Sequence, residues 1–218
     1  NVRDQLRYAR FHLGDGAAED GARLLTAETM QAMKTPQVNA NLDRKMGLSW
    51  FLSDVAGTRT VSHGGATHGQ LSAFMMAPSR NFAFTSLTNA NRGRKLNEAI
   101  TDWVLAHYLG LVEPEPVHLD VPESRLAEYV GLYEAYMSNL ELTLSNGRLS
   151  LQIIPKGGFP DKDSPPEPAP PPTRLAFYQP DRVIALDPPL TGDRLEFLRD
   201  ENGRIAWQRT SRLHKRTD

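Results

Sequence analysis

The sequence predicts the α+β fold class: an antiparallel sheet with packed helices, followed by a smaller all-β domain. In the first half, apolar residues recur at helical spacing in some stretches and alternate as in strands elsewhere. The composition then changes at Glu113-Pro114-Glu115-Pro116, a stiff and exposed stretch. Beyond it the period is two, as in half-buried strands. We therefore expect a first domain at residues 1–112, a Pro-rich linker at 113–123 and a β-domain at 124–218.

Two helices are predicted at the start of the chain. Asp4 to Leu13 has amphipathic spacing, and Gly14-Asp15-Gly16 ends it. A second helix begins after Thr26, a good N-cap residue, and ends before Pro36. Residues 37–45 have neither period, so they are predicted to form a loop.

An antiparallel meander is predicted next, closed by a longer helix. The four expected strands are Met46–Ser53, Thr58–Ser62, Gln70–Ala77 and Asn81–Thr88. The helix spans Arg94 to Leu109, with Gly110 at its C-terminal end. Its predicted core face comprises Leu96, Ile100, Trp103, Val104 and either His107 or Tyr108. The aromatic residues expected in the cores are Trp50, Trp103, Phe177, Phe197 and Trp207.

The last hundred residues predict short antiparallel strands. Leu140, Leu142 and Leu144 alternate with polar residues, and Asn146-Gly147 indicates a type I′ hairpin. Further alternating stretches follow at Leu149–Ile153, Leu175–Tyr178, Val183–Leu186, Leu195–Leu198 and Ile205–Gln208. This number of short strands fits a barrel or a sandwich. The proline-rich residues 164–172 are expected to form an exposed loop, with docking to an SH3-like partner as the alternative.

Composition excludes several classes of function. The net charge of −1 at pH 7 gives no basic field for nucleic acid, and the absence of cysteine excludes thiolate metal sites. The six histidines lack the i, i+4 pairing of a helical zinc site, and there is no P-loop or dinucleotide fingerprint. We therefore expect no metal, no cofactor and no nucleic-acid partner. No apolar run reaches the length of a transmembrane helix, and no signal peptide is expected at the first residues.

The most informative stretch is His63-Gly64-Gly65, between two strand-like segments. Glycines inside a strand pattern indicate a bulge or the close approach of another chain or ligand. Such a strand edge can hold an extended substrate or an oxyanion. The alternative is a tight turn with a surface histidine. His68, five residues further on, is expected in a surface loop.

The order of several motifs resembles the C-terminal part of class C β-lactamases and penicillin-binding-protein-like serine hydrolases. The motifs are His63-Gly64-Gly65, Ser72 to Pro78 and Leu87-Thr88-Asn89. The segment from Leu126 to Tyr133 is similar to the start of the lipocalin-like β-barrel that many of these hydrolases carry. The resemblance covers nearly the whole chain. It implies an incomplete β-lactamase-like domain and an acyl-enzyme mechanism on an amide or ester: a D-amino-acid peptide, a β-lactam or a small ester.

In this resemblance, the main chain of Ala66 supplies an oxyanion N–H. His63 stands where a lysine is usual and donates to a tyrosine or to a substrate carboxylate. The two glycines leave this side of the active-site cleft without side chains, and Asn89 lies near the rim of the cleft. The implied site residues are, as catalytic, His63 and Ala66 and, as substrate-binding, Gly64, Gly65, Thr67 and Asn89.

The chain departs from the pattern because it contains no Ser-x-x-Lys and no Tyr-x-Asn motif. The nucleophile, its base and the tyrosine are expected upstream, in an N-terminal part of the hydrolase domain that would be the partner of this chain. We therefore expect the isolated chain to be inactive, and the Arg59–Thr88 meander to have an unpaired edge through which it could also form an oligomer. The alternative is a non-catalytic interaction module that uses the barrel and this edge. Similar proteins are often exported, so a periplasmic or extracellular location is compatible, but the sequence leaves the compartment open.

Overall fold

The chain divides into two compact units, Asn1–Pro114 and Glu115–Asp218. The computed structural model describes four stretches of the chain: residues 1–67, 69–90, 92–210 and 212–217. The first unit contains a seven-stranded antiparallel sheet with helices, and the second is a closed eight-stranded barrel. The predicted fold class is therefore confirmed. In the described part of the chain, no helix is long and apolar enough to cross a membrane.

The elements of the first unit end where local capping chemistry requires. Asn1 caps the first helix by accepting hydrogen bonds from the N–H groups of Arg3 and Asp4, and Thr26 caps the second. Gly110 ends the last helix in the left-handed region, with φ +67°. In chain order the elements are α1 (Val2–Leu13), α2 (Ala27–Met33), β1 (Val38–Asn41), β2 (Arg44–Met46), β3 (Phe51–Val55), β4 (Thr58–Ser62), β5 (Gly65–Thr67), β6 (Gln70–Ala77), β7 (Phe82–Thr88) and α3 (Gly93–Leu109).

The predicted loop at residues 37–45 is wrong, because this segment forms most of the β1–β2 hairpin at one end of the sheet. Its residues are mostly polar, so its order comes from pairing with β3 rather than from an apolar period. The strand predicted from Met46 begins only at Phe51. Gly47 interrupts it by packing against the backbone carbonyl of Met33, where no Cβ would fit.

The two faces of the sheet carry separate apolar cores, one beneath α1 and one beneath α3. The sheet order is β1-β2-β3-β4-β6-β5, with β7 paired to the other side of β6. Alternate residues of β6 therefore contribute to opposite cores. The α1 core comprises Ala9, Trp50, Leu52, Val61, Phe74 and Met76, and the α3 core comprises Met75, Leu105 and Leu111.

The predicted core face of α3 is only partly correct. Val104 is buried, but Leu96 and Trp103 are 52% and 54% exposed, and His107 and Tyr108 are exposed as well. The helix instead buries Asn97, whose side chain accepts a hydrogen bond from Ser86 of β7 at 2.8 Å. Helical period alone identified an apolar stripe, but not the side that meets the sheet.

The second unit closes as a barrel, which decides between the two architectures left open by its strand pattern. The strands connect in the closed order β10-β11-β12-β13-β14-β15-β8-β9. Asn146 and Gly147 both adopt positive φ in the predicted hairpin turn. The elements are α4 (Glu123–Leu126), β8 (Gly131–Glu134), β9 (Ser138–Ser145), β10 (Arg148–Pro155), β11 (Thr173–Gln179), β12 (Arg182–Ala185), β13 (Arg194–Arg199), β14 (Ile205–Arg209) and β15 (Leu213–Arg216).

Aromatic and aliphatic side chains fill the barrel. Phe177 and Phe197 are buried as predicted, whereas Trp207 is only half-buried. Tyr129 packs between the two phenylalanines, and its hydroxyl donates to Asp181 at 2.7 Å. Burial and the neighbouring Asp181 raise the pKa of Tyr129 to about 12, so it stays protonated as a donor.

Two polar side chains nevertheless face this apolar interior. Gln208 of β14 is 0% exposed, and neither its amide nitrogen nor its carbonyl oxygen has a hydrogen-bond partner in the described part of the chain. His214 is its register partner on β15 and lies 3.2 Å from the Ser138 hydroxyl through Nε2. A buried polar group without a partner lowers stability.

We expect Gln208→Met to stabilise the barrel by about 1–2 kcal/mol, because it removes two unsatisfied polar atoms at nearly constant shape. The matched control is Gln152→Met on β10. The Gln152 amide donates to Ile153 and Pro170 carbonyls, each at 2.8 Å, so this change should destabilise by about 1 kcal/mol. Urea denaturation of both variants measures the difference. Destabilisation by both changes would show that Gln208 has a partner.

We also expect stability to fall as the pH drops below about 6.5, the usual histidine pKa. His12 and His214 are 2% and 4% exposed, and burial lowers the pKa of both. The unfolded chain therefore binds more protons than the folded one between the unfolded and the folded pKa, and the loss of stability is complete below the latter. Thermal unfolding at pH 8 and pH 5 checks this. His12→Phe should make the slope shallower, and an unchanged slope would contradict the assignment to His12.

Candidate functional site

Strands β4 and β5 form one interrupted strand along β6. Ser62 of β4 pairs with Met75, and Gly65 of β5 pairs with Ser72, so the register continues unchanged across the interruption. His63 bridges it, since its N–H donates to the Phe74 carbonyl at 3.0 Å. The predicted site stretch is therefore held in line by a single neighbouring strand.

The opposite edge of β5 is free in the part of the chain that the structure describes. Among the described residues, strand β3 pairs with β2 and β4 but not with β5, and β5 pairs with β6 only. The unpaired edge predicted for the meander is therefore present. An edge strand presents a row of unpaired N–H and C=O groups to whatever lies beside it.

Alternation along the ladder orients the N–H of Ala66 toward this free edge. In an antiparallel pair, the N–H groups of alternate residues face the partner strand. Since the N–H of His63 faces Phe74, those of Gly65 and Thr67 face β6, and that of Ala66 faces away. Ala66 itself is exposed. Its main chain is thus an available hydrogen-bond donor.

Close packing on β6 explains the two glycines, in addition to the absence of side chains that they give the edge. A Cβ on Gly64 would lie 2.8 Å from the backbone oxygen of Ser72, and one on Gly65 would lie 3.3 Å from the Ser72 hydroxyl. The first distance is too short for a real Cβ contact, so Gly64 is required by close packing on β6. Both glycines are exposed on their other side.

The imidazole of His63 is exposed and stacks on the ring of Phe51. The ring centroids are 5.6 Å apart at an interplanar angle of 28°. Phe74, whose carbonyl accepts the His63 N–H, packs on Trp50 at 5.7 Å. The guanidinium carbon of Arg44 lies 4.7 Å from the Phe51 centroid. Sequence reasoning missed Arg44 and Phe51, because only the pairing of β2, β3 and β4 brings Phe51 to His63 and Arg44 to Phe51.

The remaining predicted residues differ in position. Thr67 lies on β5 opposite Gln70 and is exposed. Asn89 follows β7, on the far side of β6, so two strand spacings, or about 10 Å, separate it from the β5 edge. The structure thus does not bring Asn89 to the free edge. His68 lies outside the described residues.

Among the described residues, no three His, Asp or Glu side chains come together in a way that could hold a metal ion. The main chain of Ala66 can donate a hydrogen bond at this edge, and the imidazole of His63 can form a hydrogen bond or transfer a proton.

This chain is related to penicillin-binding-protein-like and β-lactamase-like hydrolases. Over 140 residues, or 60% of its length, it is 32% identical to penicillin-binding protein 4 of Amycolatopsis lactamdurans. The match covers 36% of that protein. No protein-family model matches the chain.

The fold is also that of a solved structure. The crystal structure of SurE with D-Leu superposes with a TM-score of 0.67 over 99% of this chain and 49% of SurE, at 23% identity. A second crystal structure of SurE gives the same TM-score over 48% of that chain. This chain therefore spans about a third of the curated relative and about half of SurE.

Proposed function

We propose that this chain forms one wall of the acyl-transfer cleft of a β-lactamase-like serine hydrolase. The observation that carries the proposal is the N–H of Ala66, directed outward from the free edge of β5. A backbone donor at a strand edge is suited to the oxyanion that forms when a serine attacks a carbonyl. The substrate class is an amide or ester: a D-amino-acid peptide, a β-lactam or a small ester.

The roles of the residues follow from their positions. Ala66 donates one hydrogen bond to the oxyanion, and the second comes from the nucleophile's own backbone N–H. His63 lies three residues earlier on the same strand line and donates to the substrate or to a tyrosine opposite. Gly64 and Gly65 bring β5 close to β6 and leave no side chain between Ala66 and His63. Asn89 has at most a role at the rim.

The nucleophile must come from outside this sequence. No serine in the 218 residues has a lysine three positions later, and no tyrosine has an asparagine two positions later. We therefore propose that a further segment, in the same polypeptide or in a separate chain, supplies a serine, a lysine base and a tyrosine. The coverage of only 36% of penicillin-binding protein 4 agrees with such a segment.

The free β5 edge also fits a function of another class. An unpaired edge can accept an extended strand from a partner or from a second copy without any catalysis. Binding of this kind needs the edge but neither His63 nor a nucleophile, so the two functions make different predictions for turnover.

We expect the 218-residue chain alone to give no serine-dependent turnover of a chromogenic ester or a chromogenic β-lactam. Addition of a segment that contains Ser-x-x-Lys, taken from the same gene or from a relative, should bind the chain and produce turnover. A segment whose motif serine is replaced by alanine is the control, and it should bind without turnover. Binding with no turnover for the unmodified segment would favour the interaction module, and turnover by the isolated chain would contradict the missing nucleophile.

The oxyanion role of Ala66 can be tested without disturbing the sheet. Proline is tolerated on an edge strand where the N–H faces outward, so Ala66→Pro removes the donor but no ladder bond. In the complete hydrolase it should lower kcat by about 10²–10³, as loss of an oxyanion donor does elsewhere. Ala66→Ser keeps the N–H and should retain most of the activity. Equal kcat values for both variants would exclude the role.

A further inference from the structure

We propose that Phe51 is a positioning residue for His63, and that Arg44 in turn holds Phe51. This proposal rests on the proposed function only for the role of His63 in turnover. Its structural part concerns three side chains from strands β2 and β3 and from the interruption after β4. They are linked by a 4.7 Å cation–ring contact and a 5.6 Å ring–ring contact.

The imidazole of His63 has little else to fix it. It is exposed, and among the described residues its side chain takes part in no hydrogen bond or ion pair. An exposed side chain of this kind samples several rotamers. The 28° angle between the rings brings the imidazole nearly parallel to Phe51, in the offset-stacked range that aromatic pairs prefer. Phe51 therefore selects one orientation of the imidazole.

Phe51 lies next to the strand interruption at which the imidazole must be oriented. It is the first residue of β3 and pairs with Ser62, immediately before the interruption at His63. Strand β3 does not continue alongside β5 in the described chain, so Phe51 is the residue of β3 that lies beside one end of the free edge. When the imidazole of His63 is held against the Phe51 ring, it stays at the end of the free edge, three residues before Ala66.

Arg44 extends the arrangement into the β1–β2 hairpin. Its guanidinium carbon lies over the Phe51 ring within the range of a cation–π contact, and its Nε donates to the Asn41 side chain at 2.9 Å. The hairpin thus fixes the guanidinium, and the guanidinium covers the ring. This gives the polar hairpin a role at the site although it contributes no predicted site residue.

The effect of losing the stack is modest and measurable. An aromatic pair of this kind changes an equilibrium by about 2- to 12-fold. We therefore expect Phe51→Leu to reduce the population of the productive imidazole orientation, and the turnover of the complete hydrolase, by a factor in that range. Phe51→Tyr keeps the ring and should retain most of the turnover.

The first experiment is NMR of the full 218-residue chain with labelled histidine, and it does not depend on activity. Loss of the Phe51 ring current should shift the His63 ring-proton signals in Phe51→Leu, while Phe51→Tyr leaves them near their original positions. Arg44→Met should cause a smaller shift than Phe51→Leu. Phe82→Leu is the matched control, because Phe82 pairs with Tyr108, away from His63. His63 signals that do not move in Phe51→Leu, or that move equally in Phe82→Leu, would overturn the proposal.

The second experiment is a double-mutant cycle in the complete hydrolase. His63→Ala alone should lower turnover by about tenfold or more, as expected for loss of a proton-transfer or hydrogen-bonding group. Phe51→Leu should have no further effect in the His63→Ala background, because its action passes through the imidazole. An undiminished Phe51→Leu effect in that background would exclude positioning. An NMR shift without any effect of His63→Ala on turnover would retain the stack and reject the proposed role of His63.

Discussion

The pairing of β6 with strands on both sides is the constraint on which the first unit depends. On one side β6 holds β4 and then β5 in a single register, and on the other it pairs with the whole of β7. Its alternate side chains enter both cores, with Met75 in the α3 core and Met76 in the α1 core. A one-residue slip of β6 would exchange these faces and move β5 as well. Stability of the core and geometry of the candidate site are thus set by the same ladder.

Sequence patterns predicted the elements whose order is local. Thr26 and Gly110 predict helix ends, because capping depends on a few neighbouring residues. Asn146-Gly147 predicts the barrel hairpin, because its turn needs positive φ. The β1–β2 hairpin was missed because it is polar and gains its order from β3, a distant partner. Trp103 was assigned to the core because helical period shows which residues share a face, but not what that face meets.

The same division applies to the candidate site. Its predicted members at residues 63–67 are consecutive, so a strand assignment was enough to place them on one edge. Asn89 was grouped with them from the order of motifs, whereas β6 lies between it and β5. Phe51 and Arg44 could not be found from sequence, because the contacts of Phe51 with His63 and of Arg44 with Phe51 depend on the lateral order of β2, β3 and β4. No spacing along the chain encodes that order.

The candidate site is exposed, so we expect its chemistry to depend on what covers it. His63 and Ala66 both face solvent. At a separation of 4 Å, two unit charges interact by about 1 kcal/mol in water and by about 4 kcal/mol at an effective dielectric constant of 20. A donor that stabilises an oxyanion therefore acts weakly on an open edge and strongly once water is excluded. In the proposed function, the β6 ladder preorganises the Ala66 N–H as a donor, and a second wall that excludes water lowers the dielectric enough for this donor to stabilise the oxyanion.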